Sequence, residues 1–184
     1  MSKEEEYIWY GGSDANHSSG TLKYVRIEYA GIAYSPDNEI NSLTMAGVGK
    51  GMTISHVAVY KSGDDAFEWF GGTVDCDHLV ALYTIDDDFD SDLGYSGHVQ
   101  FGLIHRAKNI ADVSGSNGFE SDNNSNGTSA TPQTSAVFSN VTIVGPFQGT
   151  TFSGANANYQ HAVQIRRNST ISLHNSILVG FPAG

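Results

Sequence analysis

The stretches Asp64-Asp65-Ala66-Phe67-Glu68, Asp86-Asp87-Asp88-Phe89-Asp90-Ser91-Asp92 and Asn117-Gly118-Phe119-Glu120-Ser121-Asp122 share one pattern. An acidic or Asn-Gly lead-in is followed by a phenylalanine and an acid, with Asp92 and Asp122 two residues beyond the second and third acids. Stacked as strands, these segments pile Phe67, Phe89 and Phe119 inward and set Glu68, Asp90 and Glu120 in an outward column. Neighbouring strands lie about 4.8 Å apart, and carboxylates that close repel unless something neutralises them. The column implies a cation, a shared proton or a polycationic partner.

Outward from these stretches, β-rich runs with period-two alternation recur at Leu22–Tyr29, Ile54–Tyr60, Cys76–Tyr83, Phe138–Gly145 and Leu173–Gly180. Val57 to Leu79 and Phe67 to Phe89 are both steps of 22 residues, Val25 to Val57 is 32, and later steps are longer. A period in the low twenties with loop insertions suits one coil of a parallel β-helix, three short strands and three turns per coil. An antiparallel sandwich would need tight Asn-Gly or Asp-Gly hairpins. Asn126-Gly127 falls within a polar loop, Asn117-Gly118 leads into a coil, and no Asp-Gly occurs. The expectation is an all-β solenoid forming one domain over 1–184, with 1–10 as an N-terminal cap or appended segment. Loops are expected at Ser13–Gly20, Ser35–Asn41, Asp112–Thr134 and Gly149–Tyr159.

Composition agrees, with 21 glycines and few long helix formers. Nine Lys and Arg stand against 20 Asp and Glu, and a formal charge of −11 argues against nucleic acid or an anionic membrane as partner. A divalent metal or a sugar fits better. No apolar run reaches the ~20 residues that span a bilayer, so direct membrane insertion is not expected. The start, Met1-Ser2-Lys3-Glu4-Glu5-Glu6, is unlike a secretory signal, so the chain reads as a mature fragment, with a cytosolic protein as the alternative. Cys76, the one cysteine, excludes an internal disulfide and reads as a small packed residue.

Ser19–Gly31, Gly63–Val74, Asp86–Asp90 and Gly118–Asn123 together resemble right-handed parallel β-helix proteins secreted by Bacteroidetes-type bacteria, mostly hypothetical surface lipoproteins. The likeness covers roughly Gly11 to Phe181. It implies a right-handed, single-stranded, pectate-lyase-like solenoid and a secreted or cell-surface setting. Such proteins usually begin earlier and continue through further coils, so the chain reads as a trimmed unit. Uncapped end coils then make end-to-end homo-association an expectation.

Three functional readings use the acids. For a metal, the reading takes in Asp64, Asp65 and Asp87 and puts the ligands at Glu68, Asp86, Asp88, Asp90, Asp92, Glu120 and Asp122, with calcium as the cofactor, since it takes 6–8 oxygen ligands. The run from Asp86 to Asp92 lacks the EF-hand order, so the signal is composition plus stacking; a solvated acidic ridge is the plainer reading. For an enzyme, Ser62-Gly63-Asp64-Asp65 resembles the Gly-Asp-Asp segment of polygalacturonases, whose Asn-Thr-Asp and Gly-His-Gly segments are missing. Asp64 or Asp65 with Asp87 or Asp88 would form the carboxylate pair of a glycoside hydrolase. A polysaccharide lyase would need a base, for which Arg106, Arg166 and Arg167 are of the right type.

The third reading is a module binding a polysaccharide or cell-surface glycan through exposed aromatics. Trp69 and Tyr95 are the ligand-binding candidates beside the strip, with Trp9, Tyr10, Tyr34 and Tyr159 in reserve. His56, His78 and His174 occupy equivalent places before the strand hydrophobics, with Asn140 in that place in another coil. They read as a polar ladder rather than a zinc site, which needs three or four converging ligands. Gly47-Val48-Gly49-Lys50-Gly51 lacks the spacing of a phosphate loop and reads as a turn.

Overall fold

A computed structural model describes residues 9–32, 39–147, 149 and 153–184. Most of the expected 1–10 segment, residues 35–38 of the Ser35–Asn41 loop, residues 150–152 of the Gly149–Tyr159 loop and Tyr34 lie outside these residues. The strands are β1 (Thr21–Glu28), β2 (Leu43–Ala46), β3 (Thr53–Tyr60), β4 (Phe67–Phe70), β5 (Cys76–Leu82) and β6 (Phe89–Asp92). They continue as β7 (His98–His105), β8 (Phe119–Ser121), β9 (Val137–Val144), β10 (Val163–Ile165), β11 (Ser172–His174) and β12 (Ile177–Val179).

Odd-numbered strands form one sheet, β1-β3-β5-β7-β9-β11, with β12 also on β9; even-numbered strands β2 to β10 form the other. Every pairing is parallel. A chain that alternates between two all-parallel sheets winds as a coil, and the fold is a right-handed parallel β-helix. Among the described residues there is no helix, hence none long and apolar enough to cross a membrane.

Alternation along each strand builds the core. Val57, Leu79, Gly102 and Val141 lie in register across the first sheet, and Phe67, Phe89 and Phe119 across the second. The three phenylalanines meet edge to face at 5.5 and 5.3 Å, and Phe119 meets Phe138 of the opposite sheet at 4.8 Å. Each buried ring contributes about 1.5–3 kcal/mol, plus about 0.5–1.5 for edge-to-face geometry. Cys76 is packed here, and burial pushes its thiol to about 12, as befits an inert core residue.

Three expectations need correction. Trp69 and Tyr95 are not exposed sugar platforms: both are fully buried and stack on one another at 5.3 Å. β4 does not bend after Phe67, so Trp69 keeps the inward parity of Phe67, and the Tyr95 hydroxyl donates to the Val74 carbonyl at 2.9 Å. His174 is one residue off the proposed ladder, because it pairs with Ser139 while Asn175 meets Asn140. β7 went unread as a strand because glycine holds its central inward position. A Cβ at Gly102 would stand 3.0 Å from Phe89 and 3.1 Å from Val141, which already fill that space.

Candidate functional site

β4, β6 and β8 bring Glu68, Asp90 and Glu120 into lateral register, because each follows a phenylalanine that points inward. Neutral residues flank the column, Thr44 on β2 and Gln164 on β10. A second ladder runs along the preceding turn. Asp65 Oδ1 accepts the Asp87 N–H at 2.9 Å, Asp87 Oδ1 accepts the Asn117 N–H at 2.5 Å, and Asn117 Oδ1 accepts the His161 N–H at 3.0 Å. Asp65 and Asp87 thus each spend one oxygen on the coil stack.

The acids divide into groups with different partners. Asp122 and Glu120 need no external cation: Arg166 Nε lies 2.9 Å from Asp122, Arg167 Nη1 lies 2.6 Å from it, and Arg166 also pairs with Glu120. Asp92 Oδ1 accepts the Leu93 N–H at 2.5 Å. Asp88 is a correction to the metal and catalytic sets alike, since it faces inward, fully buried, with Arg106 Nη1 at 3.1 Å. Arg106 is equally sealed, donating to the carbonyls of Asp86 at 2.6 Å and Ile85 at 3.2 Å and facing the Tyr159 ring. It cannot reach a substrate as a lyase base.

What remains unneutralised is the first part of the column. Carboxylate oxygens of Asp65, Glu68 and Asp90 lie within 4.8 Å of one another, as do those of Asp64, Asp65 and Asp86. Asp65, which belongs to both the metal and the catalytic readings of the sequence, is common to both sets. Asp65, Asp86, Asp87, Asp90 and Glu120 line a cavity of about 140 Å³, closed by Ser114, Gly115, Gln160 and Arg166. The first leg of the Asp112–Thr134 loop walls it: Ser114 Oγ donates to Asp86 at 3.3 Å. The later leg turns away, where Thr134 Oγ1 accepts the Gly94 N–H at 2.9 Å.

Crowding without a counter-charge shows in the acidities. Burial first, then Asp64 and Asp92, push Glu68 to about 8; burial, then Asp112 and Asp64, push Asp86 to about 7. Asp65, Asp87 and Asp90 are driven well up, chiefly by burial. Asp90 Oδ1 and Asp86 Oδ1 are buried with no hydrogen-bond partner among the described residues.

A larger hollow of about 440 Å³ lies at the turns that follow β2, β4 and β6. Gly47, Gly71, Gly72 and Gly94 form its backbone floor, with Tyr10, Phe70 and Leu93 among its apolar walls. Burial first, then the nearby charges of Asp92 and Glu68, raise the Tyr10 phenol, so the hollow adjoins the acid column. Tyr10 is 50% exposed, unlike the buried Trp69 and Tyr95.

A parallel β-helix of this kind fits a surface or polysaccharide-related role. The chain is a member of the pectate-lyase-like β-helix domain family, whose model matches residues 2–184. No curated protein and no solved structure matches it.

Proposed function

We propose that this β-helix is an extracellular module that holds one calcium ion at the Asp65–Glu68–Asp90 cluster, at the cavity that Asp65 and Asp90 line, and binds a glycan in the adjoining groove. The carrying observation is the Asp90 carboxylate, whose Oδ1 is buried without a hydrogen-bond partner and which has an oxygen within 4.8 Å of oxygens of Asp65 and Glu68. Two oxygens on one calcium, each about 2.3–2.6 Å from it, are separated by at most about 5 Å, and the all-oxygen donor set suits a hard cation. At about 140 Å³ the pocket is sized for an ion with water, whereas the 440 Å³ groove is in the range of small-ligand sites. Family membership supports the polysaccharide-related role, and such domains are often extracellular.

The test is thermal unfolding of chelator-stripped protein titrated with calcium. A ligand specific for the folded state adds about 2.7 kcal/mol at a hundredfold excess over Kd. A clear rise in melting temperature that Asp90→Asn abolishes is the expected result; an equal response in both proteins rejects the pocket. Glycan retention should then depend on calcium and fall in Tyr10→Ala.

Hydrolysis is the second reading, favoured by one observation. Glu68, held at about 8, is protonated at neutral pH beside a sugar-sized groove, as a general acid must be. Release of reducing ends from a polysaccharide, lost in Glu68→Gln, would move the assignment from binding to catalysis.

A further inference from the structure

On the outer face of the first sheet the strands are interrupted by single residues in left-handed conformation: Tyr24, His56, His78, Phe101 and Asn140, with φ between 53° and 62°. These residues drop out of the ladder pairing while their neighbours stay in register, Ser55 with Asp77 and Val57 with Leu79. Non-glycine residues in that region cost of order 1–3 kcal/mol each and cluster where function requires them. The kinks aim the side chains outward in a column. His56 and His78 stack at 4.2 Å with their planes 12° apart, Tyr24 packs at 4.8 Å on one side and Phe101 at 4.9 Å on the other.

The histidine pair is singled out from the rest of the column by one carboxylate. Asp77 Oδ1 lies 2.6 Å from His78 Nδ1 and 3.9 Å from His56 Nδ1. Ser55 Oγ donates to the same oxygen at 2.5 Å and meets His56 Nδ1 at 2.7 Å. Two imidazole nitrogens and one carboxylate oxygen therefore converge on one spot from adjacent coils. Around a tetrahedral metal with bonds of about 2.0–2.1 Å, donor atoms stand about 3.3–3.4 Å apart. The observed 2.6 and 3.9 Å bracket that separation. Because the rings stack with planes 12° apart, seating an ion also requires them to turn about χ2, releasing the His56 Nδ1 contact with Ser55 Oγ, until both in-plane lone pairs meet the metal.

We propose that His56, His78 and Asp77 form a transition-metal site on this sheet, with zinc or copper(II) as its ion. Two nitrogens and one oxygen suit borderline metals and not calcium, which takes oxygen alone. On binding, each imidazole stays neutral: the Nδ1 proton moves to the other ring nitrogen, and the freed Nδ1 lone pair goes to the metal. The Ser55 hydroxyl keeps its bond to Asp77 and so orients the carboxylate, as partners of metal ligands commonly do. Three protein donors leave at least one coordination position for water or an external ligand. The site shares no residue with the acidic pocket.

Chelator-stripped protein titrated with Zn²⁺ and then Cu²⁺ against a chromophoric chelator tests this. One equivalent should bind, copper more tightly than zinc. His78→Ala and Asp77→Asn should each weaken that binding at least about tenfold. His98→Ala removes another exposed histidine with its own carboxylate, Asp75 at 2.9 Å, and should leave binding unchanged. Asp90→Asn should also bind as the parent does. The ligand side chains are 41–48% exposed, so the variants should melt near the parent temperature, and a melt on each confirms that they are folded. Parent-like binding by folded His78→Ala and Asp77→Asn, or equal losses in His98→Ala, overturns the proposal.

Discussion

Asp87 and Asp88 are neighbours in sequence with opposite duties. Asp87 gives one oxygen to the coil-to-coil ladder, the place that Asn117 takes one coil on. An amide there keeps the acceptor and sheds a crowded charge. Asp87→Asn should hold or raise the melting temperature in calcium-free buffer, whereas Asp87→Ala, which strands the Asn117 N–H, should cost about 1–3 kcal/mol in urea unfolding. Asp88 instead shares a dry site with Arg106, and that guanidinium partly offsets the burial that pushes the Asp88 carboxyl to about 6. Removing one partner leaves an uncompensated buried charge. Arg106→Met should therefore destabilise by about 3–5 kcal/mol, and adding Asp88→Leu should restore much of the loss, because apolar replacement of a whole buried pair is often neutral or better.

At the scale of strands, the acid column on β4, β6 and β8 sets the pH response. Glu68, Asp86, Asp65, Asp87 and Asp90 all have carboxyls raised in the folded protein. The unfolded chain releases these protons near pH 4, and the folded one retains them to about 7 for Asp86 and about 8 for Glu68. Over that window the folded state binds more protons, so stability falls as pH rises. Urea midpoints of calcium-free protein should drop between pH 5 and pH 8 and flatten above; a midpoint that climbs through this window would contradict the pKa order. The column itself was legible, because phenylalanine next to acid recurs in three segments, at steps of 22 and 30 residues, and fixes their parity. The partners were not. Arg166 and Arg167 sit 46 and 45 residues from the acids they neutralise, across an insertion that sequence spacing cannot measure. Likewise, the histidine pair was legible as a ladder, but its convergence on Asp77 depends on left-handed kinks that periodicity does not reveal.

For the molecule as a whole, charge and apolar surface pull in opposite directions. Among the described residues, β1 stands at one edge of the first sheet and β11 with β12 at the other, so both ends offer backbone groups for strand addition. Both also expose apolar side chains: Tyr24, Tyr29 and Ile32 at one end, Ile177 at 59% and Val179 at 49% at the other. We propose that copies associate end to end, β12 of one against β1 of the next. A net charge of −11 opposes this, and because the repulsion acts over distances comparable to the Debye length of about 10 Å at 0.1 M salt, added salt should weaken it more than it weakens apolar contact. Sedimentation velocity should show association rising with protein concentration and with salt from about 0.05 to 0.5 M, and falling in Ile177→Lys. Head-to-tail contacts that do not close generate open chains, so the products should form a ladder of sizes, not one dimer. A single monomer boundary at every concentration and salt would mean that the end coils are already capped by their own side chains, and that the apolar residues at Ile177 and Val179 serve the last coil alone.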